Sequence, residues 1–369
     1  MVLHVLKSLS IRNFRGIREC FIKDLGRVNV FIGRNGAGKS TILEAIYVAS
    51  AWANDSDKLR DSRKVDYIIE RRAGRGNWAS SRDILWFLMD TSRNVEISLG
   101  FTDGKTLDLK LLSRDDRGRV WSIIPRKLRD EMGRYGSYEL YNYADSIFGT
   151  LSLSTISPIV PGLRDVFLKH YGDLAGFLER TLFIDSWFLS KPGIVEAKVW
   201  PRILAKRLDK VIVKMVREGY GVDAEGLTYM PLGGANVLAL QLAETTVRID
   251  DLGDGVKNAI LISAAMLPLE KTAVLIEDPE VHQHPGGLAS LMKFVLEIAR
   301  EKMLQLFIST HSLELMRIVG KLCENMRFEC KVFFVDRSSD GIVDVRVLEK
   351  EDAEVLLSLG LDPRFLHKV

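Results

Sequence analysis

The sequence predicts an α/β fold organised around a phosphate-cradling loop, and two observations carry the prediction. Val28 to Ile32 is a β-rich run leading into the glycine-rich octet Gly33 to Ser40, and Thr41 to Ala53 follows with Ile42, Ala45, Ile46 and Ala49 at helical spacing. Well downstream, Ala273 to Ile276 and Leu304 to Ser309 are short apolar runs of the kind that become buried parallel strands, and the first ends in acids.

The other elements follow in order. Val2 to Ile11 and Cys20 to Lys23 are short β-rich runs separated by polar turns, which predicts an antiparallel N-terminal β lobe. From Asn54 the composition changes: Arg71, Arg72, Arg75 and other basic residues are interleaved with Trp78, Trp86 and Trp121, and residues 58–134 hold 18 Lys and Arg against 12 Asp and Glu. Within that stretch Val95–Phe101 and Thr106–Leu112 flank an Asp103-Gly104 turn, a hairpin signal. Leu163 to Leu182 and Ile203 to Glu218 carry apolar residues three and four apart and are expected helices. Val237 to Ile249 reads as strand, Gly255 to Leu267 and Leu288 to Lys302 as helices, and Lys331–Val335 and Ile342–Val347 as strands before a final helix. The expected division is a head made of residues 1–53 and 191–369, with a mixed sheet, and a largely helical insertion over residues 54–190 that carries the basic hairpin region.

Bulk properties exclude several classes. With 47% hydrophobic and 27% charged residues, neither disorder nor a fibrous fold is indicated. No run approaches the ~18 apolar residues of a membrane span. The N-terminus, charged at Lys7 and Arg12, has no small-residue cleavage site, so a cytoplasmic location and no membrane contact are expected. Cys20, Cys323 and Cys330 form no CxxC pair, which argues against a disulfide framework and against zinc. A net charge of +3 is too small to prove a nucleic-acid partner.

The octet GRNGAGKS fits the G-x-x-x-x-G-K-[ST] pattern, with a strand before and a helix after. Gly33, Gly36 and Gly38 let the backbone wrap around phosphates, with Arg34, Asn35 and Ala37 in the same turn. The loop N–H groups and the helix N-terminus at Thr41 supply positive potential, and Lys39 reaches the β/γ-phosphates. Ser40 is the expected Mg2+ ligand through its hydroxyl. In AVLIEDPE, Ala273 to Glu280, Glu277 and Asp278 stand where such a fold places its Mg2+-binding acid. Two acids at a strand end also suit a solvated surface or a helix cap, and the phosphate loop decides between these readings.

LSIRNFRGI (Leu9 to Ile17), GRNGAGKST, LGDGVKN (Leu252 to Asn258), IEDPEVHQHP (Ile276 to Pro285) and FISTHS (Phe307 to Ser312) occur in one order. Together they resemble the ABC-type ATPases of the RecF, SMC and OLD relatives, often described as AAA-family ATPases. The region from Asn54 to Ser190 matches no named motif. The resemblance implies ATP and Mg2+ as cofactors, Glu277 and Ser40 as metal ligands, Asp278 as the base and His311 as a switch histidine that senses the γ-phosphate. It makes Leu252-Gly253-Asp254-Gly255 a signature loop facing the nucleotide of the other protomer, hence a homodimer with composite sites. His282 and His284 lie in a segment similar to the D-loop and are expected dimer contacts.

Three departures from the family pattern stand out. Glu277-Asp278 replaces the usual Asp-Glu, and a base one methylene shorter must still reach its water within about 2.6–3.2 Å, so slow hydrolysis is expected. No Gln lies between Ser40 and Gln241 to serve a Q-loop, and Gly253 replaces the signature serine. The 236 residues between Ser40 and Glu277 are too few for the long coiled coil of SMC proteins. The 58 residues after His311 are too few for the nuclease domain of OLD proteins, so any nuclease is expected on a separate chain. The expected function is an ATP-hydrolysing head whose ATP-dependent dimerisation handles DNA or a nuclease partner, in DNA repair or defence against foreign DNA. The alternative is a slow-turnover, ATP-switched module controlling a partner protein. Residues 58–134 are the expected DNA surface, through Arg71, Arg72 and Arg75. Their tryptophans either stack on a single strand or fill the insert's own core.

Overall fold

All five residues of β3 (Val28–Ile32) are buried, a pattern that suits only a strand covered on both faces. The computed structural model describes residues 5–125, 128, 130, 150, 151 and 163–348. β1 (Leu6–Phe14) and β2 (Ile17–Ile22) precede β3. After it come α1 (Lys39–Ala49), the two-residue β4 (Ser56–Asp57) and β5 (Ser62–Arg63), α2 (Lys64–Ala73), α3 (Trp78–Ser81), β6 (Val95–Phe101), β7 (Thr106–Leu111), β8 (Val120–Ile123), β9 (Thr150–Leu151) and α4 (Leu163–Glu179). The chain continues through β10 (Leu182–Ile184), α5 (Ser186–Leu189), α6 (Pro192–Lys198), α7 (Trp200–Ala205), α8 (Asp209–Tyr220), β11 (Ala224–Leu232), β12 (Ala235–Leu242), β13 (Thr246–Arg248) and α9 (Asp254–Met266). It closes with β14 (Ala273–Glu277), α10 (Pro285–Glu301), β15 (Gln305–Thr310), α11 (Leu313–Met326), β16 (Cys330–Arg337) and β17 (Ile342–Leu348). The final helix expected beyond these strands lies outside the described residues.

Contacts divide the chain into two units, one of residues 1–26, 33–182 and 333–369, the other of residues 27–32 and 183–332. In the first, the strand order is β17-β2-β1-β6-β7-β8-β9. β1 and β2 form a hairpin with Leu9 opposite Ile22 and Phe14 opposite Ile17, and β17 joins β2 in parallel. The other edge of β1 takes β6 antiparallel, Leu9 opposite Leu99. The hairpin β6–β7, turned by Gly104 at φ 78°, therefore extends the N-terminal strands. Leu9, Ile11, Ile97, Leu99 and Leu109 alternate along these strands and are buried, as a half-covered sheet requires.

Part of the basic stretch is turned toward the interior, while Arg75, Arg93, Arg114 and Arg117 are exposed. Glu44, fully buried on α1, takes Arg15 at 3.0 Å, Arg72 at 2.8 Å and Arg71 as ion partners, and the Arg71 side chain is itself hidden. Of the three arginines expected to meet DNA, Arg71 and Arg72 therefore neutralise a core carboxylate. Trp78, Trp86 and Trp121 are buried, so stacking on a single strand is corrected to the core-filling role. Their indole N–H groups donate to Asp115 O at 2.5 Å, Arg93 O at 2.6 Å and Asp115 Oδ2 at 2.6 Å, which removes the polar cost of burial.

In the second unit, β10, β14, β15 and β3 lie in that order. β14–β15 and β15–β3 are parallel, with Ile308 opposite both Ile276 and Val30. Buried Asn29 is satisfied by donating to Leu306 O at 3.0 Å. The helix expected over 203–218 is two helices, because Arg207 adopts φ 54° and breaks the chain between α7 and α8. α8 buries Ile212, Val213, Met215 and Val216 on one face. β11 escaped the sequence reading because it does not alternate cleanly, burying only Ala224 and Leu227.

Replacing Glu44 by Ala is expected to cost about 3–5 kcal/mol of stability, since it removes the fully buried carboxylate that Arg15, Arg71 and Arg72 face. Urea denaturation measures this, and a loss under about 1 kcal/mol would show that the arginines find other partners.

Candidate nucleotide-binding site

The loop is built by exclusion of side chains. At Gly33 a Cβ would lie 2.2 Å from Val335 O, so only glycine passes. Gly36 and Gly38 take φ 78° and 105°, the left-handed region that costs L-residues strain. Gly38 precedes α1, which has no side-chain cap and no acid in its first turn, so its leading N–H groups are left for an anion. The buried Lys39 folds back, its Nζ donating to Gly33 O at 2.8 Å and Arg34 O at 3.0 Å, which holds an ammonium inside the loop. Arg34 does not reach inward: its Nε meets Asp336 at 3.1 Å and its Nη2 donates to Arg337 O at 2.9 Å. Asn35 and Gly36 are exposed, Ala37 is buried, and Ser40 and Thr41 are half-buried at the start of α1.

In the second unit, register sets where the acids stand. Glu277 lies opposite Ser309 and Ile32 opposite Thr310, so the three parallel strands end at one level. Asp278 then turns with φ 45°, its N–H donating to Ser309 O at 2.9 Å. Both Glu277 and Asp278 are half-buried. Glu280 joins the acidic segment to the histidine loop: its Oε1 accepts from Thr310 Oγ1 at 2.5 Å and from His311 N at 3.1 Å.

The glycine turn at Gly253 is exposed and opens α9. The Asp254 carboxylate accepts from Lys257 at 2.8 Å, and that hydrogen bond holds it below the usual carboxylate range. A Cβ at Gly255 would come within 2.7 Å of His282 O, so this turn and the segment after the acids are in close contact. Asp254, Lys257, Asn258, Glu277, Asp278 and His282 line one cleft of about 370 Å³. His284 caps α10 by accepting from Gly286 N at 3.3 Å.

The sequence reading gave no site role to Glu280 or Gln283. Gln283 donates through Nε2 to Gly255 O at 2.9 Å and accepts from the Tyr220 hydroxyl at 2.8 Å. Its signals in the sequence were its place between His282 and His284 and its rarity, one of three glutamines in the chain.

A family profile described as AAA ATPase domain matches residues 5–94 and 191–316. The chain is 19% identical over 354 residues to a Helicobacter pylori protein named ATP/GTP phosphatase, covering 92% of this chain and 94% of that one. It is 25% identical over 387 residues to the OLD nuclease of Thermus scotoductus, covering 95% of this chain and 66% of the relative. Among solved structures, an Smc head bound to the C-winged helix domain of ScpA aligns at TM-score 0.54 and 14% identity, over 95% of this chain and 99% of that one, a likeness of fold.

Lys39→Ala is expected to weaken ATP binding by about 10- to 100-fold, the loss of one hydrogen-bonding charge on phosphate. Titration with a fluorescent ATP analogue reads this, and unchanged affinity in a folded variant would remove the loop from the site.

Proposed function

The chain belongs to the AAA ATPase domain family, among the ABC-type P-loop ATPases of the RecF, SMC and OLD group, and we propose that it is an ATP-hydrolysing head that dimerises on ATP and passes that change to a nucleic-acid-processing partner. The observation that carries the reading is the Lys39 ammonium held inside a glycine loop at the uncapped N-terminus of α1. There Lys39 and the loop N–H groups bind the β/γ-phosphates. Ser40 and Glu277 would hold Mg2+, which supplies charge neutralisation at the phosphates. Asp278 takes a proton from the attacking water, and His311 contacts the γ-phosphate side. Gly253, Asp254 and Gly255 complete the site of the opposite protomer, since an exposed glycine turn opening a helix offers N–H groups to an anion.

The partner in this reading is a protein rather than DNA bound through Arg71 and the tryptophans of residues 58–134, because those side chains are committed to the interior. A nuclease activity coupled to the head draws support from the relative named OLD nuclease, of which this chain spans about two thirds. A cytoplasmic setting accompanies this reading, and among the described residues no helix is long and apolar enough to cross a membrane. The second reading, a slow ATP switch that regulates its partner, is favoured by Asp278, a short acid on a left-handed backbone. Single-turnover hydrolysis with and without duplex DNA and partner separates the two.

Asp278→Asn is expected to lower hydrolysis by about 100-fold or more, the usual contribution of a general base, while ATP affinity stays within about twofold and an ATP-bound dimer accumulates. Phosphate release and light scattering measure both. Hydrolysis at the wild-type rate would transfer the role to another acid, Glu280 first.

A further inference from the structure

The segment Asp278–His284 is held in a conformation it would not choose. Asp278 and His282 both sit in the left-handed region, at φ 45° and 64°, although neither is glycine. Two successive turns close it, with Val281 N donating to Asp278 O at 3.1 Å and Gln283 N donating to Glu280 O at 3.0 Å. At one end Glu280 receives Thr310 Oγ1 and the His311 N–H, and its second oxygen, Oε2, is buried without a hydrogen bond. At the other end Gln283 binds Gly255 O and the Tyr220 hydroxyl. Tyr220 also reaches Gly287 O at 3.2 Å, and a Cβ on Gly287 would meet its ring at 2.7 Å.

We propose that Gln283 is a positioning residue that fixes the first turn of α9 to the same short segment whose other end seats His311, so that the histidine loop and the Gly253–Gly255 turn of one chain move as one piece. The chemistry at this place requires an amide. The Gln283 Nε2 donates to the Gly255 carbonyl while its Oε1 accepts from the Tyr220 hydroxyl, and a single amide serves both. A carboxylate would face the carbonyl with like partial charge, and an aliphatic chain would leave both groups unmatched. Gly255 carries no side chain, which permits the close approach to His282 O, and Gln283 adds a hydrogen bond to its carbonyl at that contact.

The proposal rests on the composite-site reading: the turn recognises phosphate across the dimer, so Gln283 acts on dimerisation and not on the chain's own loop. Gln283→Glu keeps the shape and the acceptor but removes the donor, and Tyr220→Phe removes only the hydroxyl. In Gln283→Glu, fluorescent-ATP affinity of dilute monomer is expected within about twofold of wild type, while the protein concentration at half-dimerisation with ATP rises about tenfold, as loss of one well-formed hydrogen bond gives. Tyr220→Phe is expected to raise it about threefold, and in both variants kcat falls while KM holds. If both variants dimerise at the wild-type midpoint, or if ATP affinity falls in step with dimerisation, Gln283 has no such role. If wild type itself fails to dimerise on ATP, the composite-site reading falls with it, and that outcome is distinct because it needs no variant.

Discussion

The shared register of β14, β15 and β3 is the constraint on which the second unit's chemistry depends. Parallel strands buried on both faces cannot slip by a residue without driving side chains through the layer that covers them. Because Ile308 pairs with both Ile276 and Val30, the strand ends Glu277, Thr310 and Ile32 stand within one residue of the same level. Placing Asp278 and His311 at the ends of neighbouring strands is a consequence of apolar packing several residues upstream. Asn29, the polar residue within β3, is tolerated because its amide bonds Leu306 O.

In the first unit the comparable anchor is electrostatic. Glu44 lies on α1, five residues after Lys39, and holds Arg15 from the β1–β2 turn with Arg71 and Arg72 from α2. A buried carboxylate ringed by guanidinium groups is weak evidence for net stability, but it specifies geometry strongly, since removal of either sign leaves an uncompensated buried charge. The helix whose N-terminus serves the loop is thereby fixed along its length by charge as well as by packing. This also explains why a net basic stretch need not be a basic surface.

Two of the left-handed non-glycine residues, Asp278 and His282, fall where the second unit's loops meet. Asp278 and His282 pay for left-handed backbone within five residues, and hydrogen bonds from Glu280 and Gln283 hold the segment there. Such conformations persist only when their surroundings over-determine them.

The sequence by itself determined the loop, because G-x-x-x-x-G-K-S encodes its conformation in residues that lack side chains and its charge in one lysine. It also determined the central strands and the hairpin at Asp103-Gly104, since short apolar runs and turn residues act locally. It could not assign Arg71 and Arg72, whose partner Glu44 lies 27 and 28 residues away, and so composition read them as surface. It missed β11, whose stability comes from pairing with β12 and not from alternation, and it joined α7 to α8 across a backbone break at Arg207 that no residue type announces. Glu280 and Gln283 lie within the IEDPEVHQHP stretch, but their roles arise from hydrogen bonds to residues 28 to 63 positions away, which only the folded chain brings within reach.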